Sequence, residues 1–463
     1  MVSKLLYDLF LVLYGTGIRV SSWWNPKARK WLNGRKNIID SIHVELQTSH
    51  VKPQTVWMHC ASLGEFEQGR PLLEELKSKN AALKIVLTFF SPSGYEVMKD
   101  YKGADHVFYL PMDSPANAAR FLDIVNPSLV LWVKYEYWFY YLDEIRKRGI
   151  PALLVSGIFR NSQPFFKPYG ALWRRMLQSF GHFFVQNEES GRLLRSIGIT
   201  GNVSISGDTR FDRVIAIAEA FQPVPRISEF CGNSTVIVAG STWEEDEIEL
   251  LHFVKQHPEI RFIIAPHEID AGNLKDVKKT FPHSLFYSEL QMAEFRPSSG
   301  EESQPATSNL KPQTSNPNIL IIDNIGMLSR LYRYAAIAYV GGGFGEDGVH
   351  NVLEAAVYGK PVVFGPVYDK YIEAAALVEA GGGISADGPL KLEAILENLL
   401  RNEAELEKKG RSARNYVYAN GGASRRMHAG DGSHAWWNRT PNRAGTPGTL
   451  FDIGRLQPGF PAP

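Results

Sequence analysis

The chain contains little cysteine and has almost no net charge. Its 463 residues include only two cysteines, Cys60 and Cys231, and neither lies in a Cys-x-x-Cys pair. We therefore expect neither a disulfide framework nor a structural zinc site, and this usage fits a reducing compartment. With 50 basic and 49 acidic residues the formal net charge is +1, so the composition predicts no general affinity for nucleic acid.

The chain also lacks a long uninterrupted apolar run. Residues 5–14 are apolar, but Asp8 lies among them and a Gly-Thr-Gly sequence follows, whereas a membrane-spanning helix needs about 20 apolar residues. Trp23 and Trp24 come next, among several basic residues. This order is typical of a helix that lies on an anionic membrane face; the alternative is a core helix followed by a solvated basic loop. We predict a membrane-associated segment over residues 1–36.

Two series of short apolar strands, each alternating with helical segments, make up most of the chain. Strands that are apolar along their whole length are typical of parallel sheets covered by helices on both faces. We therefore predict an α/β fold of two Rossmann-like, doubly wound domains that face a central cleft. They cover residues 37–206 and 207–427. The expected strands are 56–61, 85–90, 128–133 and 152–156 in the first domain and 235–239, 261–265, 319–322, 336–340 and 361–364 in the second.

Two segments do not follow this pattern. Residues 296–318 are rich in Ser, Pro, Gln, Asn and Thr, a composition that predicts a flexible insertion. Residues 428–463 are rich in Gly, Pro and Arg and show neither a helical nor a strand period. We predict an irregular tail there and assign it no role.

A glycine triplet at 341–343 lies between a predicted strand and the helix that starts near Asn351. A glycine-rich turn lets backbone N–H groups approach an anion, and a helix N-terminus adds partial positive charge. The alternative is an ordinary tight turn between strand and helix. A second strand and turn follow at 359–366, so polar groups gather at one edge of the sheet, where open α/β sheets bind ligands. The pattern indicates an enzyme that binds a nucleotide or nucleotide sugar.

Two carboxylates follow strands of the first domain. Glu65 ends the sequence Ser62-Leu63-Gly64-Glu65, directly after the first strand, and Glu136 follows a later strand. The Ser-x-x-Glu spacing is also that of a capping box. The functional interpretation makes Glu65 a general base, which a carboxylate can be when burial raises its pKa towards neutrality.

The second domain offers further polar groups at strand ends. Ser241 and Thr242 precede an acidic helix and either cap that helix or bind a phosphate, and His267 follows another strand. We see no Asp-x-Asp pair that would hold a divalent cation against a diphosphate. We therefore expect neither a metal nor a cofactor.

Taken in order, these motifs resemble the Kdo (3-deoxy-D-manno-octulosonic acid) transferases of lipopolysaccharide synthesis, glycosyltransferase family 30. The resemblance runs from the N-terminal segment to about Met427. The motifs that carry it are Ser62-Leu63-Gly64-Glu65, Glu136-Tyr137-Trp138, Gly207-Asp208-Thr209-Arg210-Phe211-Asp212, Gly240-Ser241-Thr242, Ile325-Gly326-Met327-Leu328, Gly341-Gly342-Gly343 and His350-Asn351-Val352-Leu353-Glu354.

The resemblance implies a GT-B enzyme on the cytoplasmic face of the cell inner membrane. It implies transfer of Kdo from CMP-Kdo to a lipid A precursor of the lipid IVA type, with Glu65 as the general base and Glu136 stabilising the transition state. The positions that match CMP-binding residues are Pro266, His267, Gly326, Met327, Leu328, Asn351, Val352, Leu353 and Glu354. The candidate phosphate contacts are Ser241, Thr242, Gly342 and Gly343.

The chain departs from the family pattern at three places. It has Lys134-Tyr135-Glu136 where Glu-Thr-Glu is frequent, Ala265-Pro266-His267 where Pro-Arg-His is frequent, and Trp243 where histidine is frequent. Two other functions stay open. One is a GT-B enzyme that uses a UDP-sugar, as a glycosyltransferase or an epimerase. The other is a membrane-bound protein that binds a nucleotide sugar without turnover.

Overall fold

The computed structural model of the chain describes residues 2–47, 54–292 and 317–429. The chain divides into a first unit, Met1–Arg213 with Gly421–Pro463, and a second unit, Val214–Asn420. The division therefore lies seven residues after the expected boundary at 206/207, and residues 421–427 belong to the first unit, not to the second. Most of the predicted insertion at 296–318 and the tail from residue 430 lie outside the described residues.

The helices and strands alternate along the chain. The elements up to the unit boundary are α1 (Val2–Ser21), α2 (Pro26–Asn33), α3 (Ile38–Gln47), β1 (Thr55–Cys60), α4 (Leu63–Lys79), β2 (Lys84–Phe89), α5 (Pro92–Met98), β3 (His106–Tyr109), α6 (Pro115–Val125), β4 (Leu129–Val133), α7 (Phe139–Lys147), β5 (Ala152–Gly157), a 3₁₀ turn (Pro164–Phe166), α8 (Ala171–Leu177), β6 (His182–Val185), α9 (Glu188–Ser196), β7 (Val203–Ile205) and α10 (Thr209–Glu219). The remaining elements are α11 (Ile227–Cys231), β8 (Val236–Thr242), α12 (Glu244–Gln256), β9 (Arg261–Pro266), α13 (Ala271–Thr280), β10 (Leu285–Phe286), α14 (Tyr287–Met292), β11 (Ile319–Ile321), α15 (Leu328–Leu331), a 3₁₀ turn (Tyr332–Tyr334), β12 (Ile337–Val340), α16 (Leu353–Ala356), β13 (Val362–Phe364), α17 (Ile372–Glu379), β14 (Gly383–Ser385), α18 (Pro389–Arg401), α19 (Glu403–Ala419) and α20 (Ala423–Ala429).

Within the described residues, each unit contains one seven-stranded parallel sheet. The first sheet has the strand order β3-β2-β1-β4-β5-β6-β7 and the second has the order β10-β11-β9-β8-β12-β13-β14. The chain order reverses between β1 and β4 in the first sheet and between β8 and β12 in the second. At such a switch point the loops at the carboxyl ends of the two strands diverge, and open α/β sheets bind ligands in the crevice that this leaves.

The apolar strands bury both of their faces. All six residues of β1 are buried, and successive side chains of a strand point to opposite faces. Trp57 accordingly belongs to one core cluster, whereas Val56 and Met58 belong to a second cluster on the other face. This two-sided burial explains why the strand lacks the apolar–polar alternation of a half-exposed sheet.

The last described helix, α20, packs on the first unit. Met427 is buried in the same cluster as Leu72 and Leu73 of α4. The Asp212 carboxylate accepts backbone N–H groups from Gly422 and Ser424 and so satisfies the start of the helix. The Asp212 end of the Gly207–Asp212 motif is thereby explained as a cap for α20.

Helix α1 has two apolar faces. Tyr7, Leu11, Tyr14 and Ile18 follow each other at helical spacing and pack against the core of the first unit, and the Tyr7 hydroxyl donates to Asp113 at 2.6 Å. The opposite face exposes its large apolar side chains, which are Leu5, Leu6, Leu9, Phe10, Val12, Leu13 and Val20. Among the described residues, no helix combines the length and the apolarity needed to cross a bilayer.

Candidate active site

Glu65 lies in the first turn of α4, shortly after β1 and at the first switch point. One carboxylate oxygen accepts the backbone N–H of Ala61 at 2.5 Å and the other accepts that of Tyr135 at 3.4 Å. Ser62 is the N-cap residue, but its side chain makes no capping hydrogen bond. The reciprocal capping box is therefore not formed, and the Glu65 carboxylate instead holds together the loops that follow β1 and β4.

The surroundings of Glu65 stabilise the protonated, neutral form of its carboxyl group relative to the same group in water. Its side chain is buried, with 8% of the residue exposed. Burial raises the pKa of Glu65 to about 7, and the negative charge of Glu136 adds to this rise, while the two backbone N–H groups and Lys134 oppose it. A carboxyl group with this pKa exchanges a proton readily near neutral pH, as a general base must.

Glu136 is held in the loop after β4. Lys134, two residues before Glu136, adopts a positive φ of 55°. This conformation costs a residue with a Cβ about 1–2 kcal/mol. The Lys134 N–H donates to the Val155 carbonyl at 3.1 Å. Trp138 Nε1 donates to Glu136 Oε2 at 3.0 Å, and Trp132 Nε1 donates to the Glu136 main-chain oxygen. The structure thus brings Glu65 and Glu136 together at one edge of the first sheet, as the sequence predicts.

In the second unit, Asp246 of α12 ties two loops together. It is fully buried and accepts hydrogen bonds from Trp243 N at 2.9 Å, Gly342 N at 2.8 Å and Tyr339 Oη at 2.6 Å. Burial raises the pKa of Asp246, and these three donors oppose the rise. The Gly342 N–H, a candidate phosphate contact, is therefore already hydrogen-bonded to the Asp246 carboxylate.

The glycine triplet allows backbones to approach each other closely. A Cβ on Gly341 would lie 2.4 Å from the Ser241 carbonyl oxygen, and a Cβ on Gly343 would lie 2.5 Å from the Gly365 amide nitrogen. Both distances are shorter than contacts that carbon atoms tolerate. The triplet thus packs the turn after β12 between the turns after β8 and β13, and this packing accounts for the glycines. Phosphate binding by Gly342 and Gly343 stays a prediction.

Ser241 and Thr242 belong to the end of β8 and do not cap α12. The N-cap residue is Trp243, so the capping alternative for these two residues is wrong. The Thr242 hydroxyl is buried and donates to Glu247 at 2.9 Å, and Ser241 has a positive φ of 55°. A phosphate contact from either residue stays a prediction.

Three rings are stacked beside the glycine turn. The His267 ring lies 4.6 Å from that of Trp243 and 4.3 Å from that of His350, centroid to centroid. Trp243 Nε1 donates to His350 Nε2 at 2.9 Å, so the neutral His350 ring carries its proton on Nδ1. Burial, reinforced by His267, lowers the pKa of His350 to about 4, and burial also lowers the pKa of His267. Burial therefore favours the neutral form of both rings.

His350 and Trp243 are absent from the residues predicted to bind the donor. Trp243 is a tryptophan where the family often has histidine, and its indole N–H supplies a donor at this position. His350 belongs to the motif His350-Asn351-Val352-Leu353-Glu354, and that motif is the signal in the sequence that indicates it.

The segment 351–354 combines a polar pair with two packed side chains. Asn351 accepts the Leu353 N–H at 3.2 Å and donates to Glu354 at 3.0 Å. Val352 and Leu353 are fully buried, so their side chains serve packing; their predicted contact with CMP stays a prediction. Helix α16 is four residues long, and anion binding at its start stays a prediction.

The segment 326–328 lies beside the end of β8. Gly326 has a positive φ of 97°, and the Leu328 side chain contacts Gly240 so closely that a Cβ there would lie 2.5 Å from Leu328 Cδ1. Pro266 ends β9 and pairs with Thr242 across the sheet. The predicted donor residues of the second unit therefore lie along the carboxyl edge of its sheet, near the β8–β12 switch point.

Comparison with known proteins shows that the chain is similar to one family of enzymes. Residues 38–213 match the family model described as 3-deoxy-D-manno-octulosonic-acid transferase (kdotransferase). The 3-deoxy-D-manno-octulosonic acid transferase of Aquifex aeolicus is 27% identical over 77% of this chain and 89% of its own length. The chain is thus similar to the Kdo transferases over most of its length. It is also 28% identical to a bifunctional glycosyltransferase/methyltransferase of Fusobacterium nucleatum over 69% of this chain, and the match spans 48% of that relative's length.

The fold has solved counterparts. UDP-GlcNAc 2-epimerase from Neisseria meningitidis superposes with a TM-score of 0.55 over 81% of this chain and 98% of that one, at 18% sequence identity. At this identity the likeness concerns the fold alone. The prediction of two Rossmann-like, doubly wound domains of the GT-B class is confirmed.

Proposed function

We propose that this protein, which is similar to the Kdo transferases, moves Kdo from CMP-Kdo to a lipid A precursor of the lipid IVA type. The observation that carries the proposal is the buried Glu65 carboxyl with its pKa near 7, beside a second carboxylate at a switch point, within the residues that match the family model.

In the proposed reaction Glu65 takes the proton of the acceptor hydroxyl as that oxygen attacks the anomeric carbon of Kdo. The bond from this carbon to the phosphate oxygen breaks, and CMP leaves with the electron pair. The Glu136 carboxylate stabilises the positive charge that develops on the sugar. On the donor side, neutral His267 and backbone amides of the second unit bind the nucleotide, Glu354 accepts from the ribose, and no metal takes part.

The direct test is incubation of the full chain with CMP-Kdo and lipid IVA, followed by mass analysis of the lipid. We expect the lipid to gain one or more Kdo masses and CMP to be released in equal number. Parallel reactions with UDP-sugars address the GT-B alternatives. UDP release or epimerisation, with no product from CMP-Kdo, would overturn the proposal, and so would binding of CMP-Kdo without turnover.

We further propose that α1 holds the chain on the cytoplasmic face of the cell inner membrane. Gly15 and Arg19 of α1 line a recess of about 610 Å³ whose lining also includes Arg35, Lys36 and Arg120. Trp23 and Trp24, which follow the helix, are 79% and 67% exposed. An apolar face bordered by tryptophan and by cations matches the layers of an anionic membrane surface.

Replacement of the four exposed leucines of α1 by serine is expected to release the chain from membranes. The variant carries Leu5→Ser, Leu6→Ser, Leu9→Ser and Leu13→Ser, and binding to anionic vesicles in a flotation assay should fall by at least about 100-fold, because burial of each leucine contributes roughly 1.5–3 kcal/mol. The matched control is Leu390→Ser in the second unit, since Leu390 is 81% exposed. Equal flotation of the two variants would show that α1 is not the anchor.

A further inference from the structure

His59 is buried in the middle of the first sheet, behind the candidate active site. It is fully buried in β1, and its ring packs against Trp132 with centroids 4.5 Å apart. Nε2 is buried and has no hydrogen-bond partner, yet it lies 3.6 Å from Glu136 Oε2. A buried polar nitrogen that lacks a partner calls for an explanation.

The other ring nitrogen decides where the proton lies. His59 Nδ1 is 3.0 Å from Thr88 Oγ1, and the same oxygen receives the indole N–H of Trp57 at 2.8 Å. Tryptophan can only donate, so Thr88 accepts there and has its single hydrogen left to donate. The Met58 carbonyl is 3.5 Å away, beyond ordinary O–H···O distances, whereas Nδ1 is within reach.

A hydroxyl oxygen can accept two hydrogen bonds, so the position of Glu136 decides between the tautomers: with the proton on Nδ1, the Nε2 lone pair would face the carboxylate 3.6 Å away. This geometry and the short Thr88–Nδ1 distance of 3.0 Å favour donation from the Thr88 hydroxyl to Nδ1. A neutral imidazole that accepts at Nδ1 carries its proton on Nε2, and that N–H faces the Glu136 carboxylate. A closure of about 0.5 Å would bring the 3.6 Å separation close to hydrogen-bond range. Trp138 already donates to the same carboxylate oxygen at 3.0 Å.

We propose that His59 is a positioning residue for Glu136 and that Thr88 sets the tautomer in which it acts. The relay runs from Trp57 through Thr88 and His59 to Glu136. His59 directs its Nε2–H at the Glu136 carboxylate from the buried interior, where such an interaction is stronger than in solvent. In this way His59 fixes the orientation of the Glu136 carboxylate towards the sugar. The inference rests on the proposed function for the role of Glu136, but the tautomer itself does not.

The first test compares Thr88→Val with Thr88→Ser in the full chain. Valine has the shape of threonine without the hydroxyl, so it should lower kcat by about 10- to 100-fold, the size expected for a misplaced catalytic group, and leave KM for CMP-Kdo nearly unchanged. Serine keeps the hydroxyl and should restore most of kcat. Equal kcat in the two variants, with unchanged thermal unfolding, would overturn the proposal, as would a loss confined to KM.

The second test determines the tautomer of His59 by NMR spectroscopy and does not depend on enzymatic activity. Long-range ¹⁵N–¹H spectra distinguish imidazoles protonated at Nε2 from those protonated at Nδ1 or at both. The chain contains 12 histidines, and the His59 signal is assigned by its loss in His59→Gln. We expect the Nε2–H form in the parent chain and in Thr88→Ser. A ring protonated at Nδ1 or at both nitrogens overturns the inference. Absence of Kdo transfer by the parent chain would instead refute the proposed function and leave this tautomer test intact.

Discussion

Glu65→Gln is expected to fold like the parent chain and to lose Kdo transfer by about 10²–10⁴-fold, the usual contribution of a general base. Glutamine has the size of glutamate and still accepts the Ala61 N–H, which is 2.5 Å from the carboxylate, but it cannot take a proton from the acceptor. Transfer is measured as Kdo added per enzyme per minute at saturating CMP-Kdo. The control is Glu67→Gln on the same helix, because Glu67 is partly exposed and pairs with Arg70 and Arg213.

The same substitution should change how transfer and stability depend on pH. Since the pKa of Glu65 is raised to about 7, the ionised base is lost as the pH falls below 7, so transfer by the parent chain should decline there. A carboxyl group whose pKa is higher in the folded state favours folding least when it is ionised. The unfolding free energy of the parent should therefore fall, relative to that of Glu65→Gln, as the pH rises from 4.5 to about 7.

Two results would contradict this role. One is undiminished transfer by Glu65→Gln, which would show that another group takes the proton. The other is a loss of the same size in Glu67→Gln, which would point to damage of α4 and not to proton transfer. Chemical denaturation of each variant at the pH of the assay separates these cases from simple unfolding.

Asp246→Ala is expected to destabilise the second unit by about 3–5 kcal/mol, because it leaves several buried donors without an acceptor. Those donors are the amides of Trp243 and Gly342 and the hydroxyl of Tyr339. In the fraction of the variant that is still folded, the Gly341–Gly343 turn lacks its hydrogen bond to α12. We therefore also expect CMP to bind at least about tenfold more weakly, a loss of about 1.4 kcal/mol in binding free energy.

Differential scanning calorimetry and titration with CMP measure the two effects. The control is Glu245→Ala, which removes an exposed carboxylate from the same turn of α12 and should change both quantities little. Because the chain contains two compact units, the transition of the second unit must be resolved from that of the first before a free energy is assigned. An unfolding transition of Asp246→Ala equal to that of Glu245→Ala would refute the role assigned to this carboxylate.

The strand pattern in the sequence predicts the central part of each sheet. Strands β1, β2, β4 and β5 lie where the apolar runs indicate, because strands buried on both faces are apolar throughout. In the second sheet the apolar pattern does not predict β10 and β14, and in the first sheet it does not predict β3, β6 and β7. Of these last three, two begin with histidine and the third has three residues at the sheet edge, so each is too short or too polar to stand out.

The candidate site was predicted less completely than the fold. Glu65 was found because it directly follows an apolar strand, and such strand ends meet at one edge of a parallel sheet. His59 lies inside the same strand and looks like any other core residue in the sequence. The triplet at 341–343 suggests an anion site from the sequence. The structure shows that three turns pack closely there, and anion binding stays a prediction.

The sequence by itself determined the order of strands and helices and the presence of carboxylates at strand ends, because those features depend on neighbours in the chain. Only the tertiary structure decided the chemistry of those groups. The Tyr135 amide that meets Glu65 is 70 residues away, the Gly342 amide that meets Asp246 is 96 residues away, and Trp243 and His350 are separated by 107 residues. Burial and hydrogen bonds between such distant residues set the pKa and the tautomer, and no local pattern encodes them.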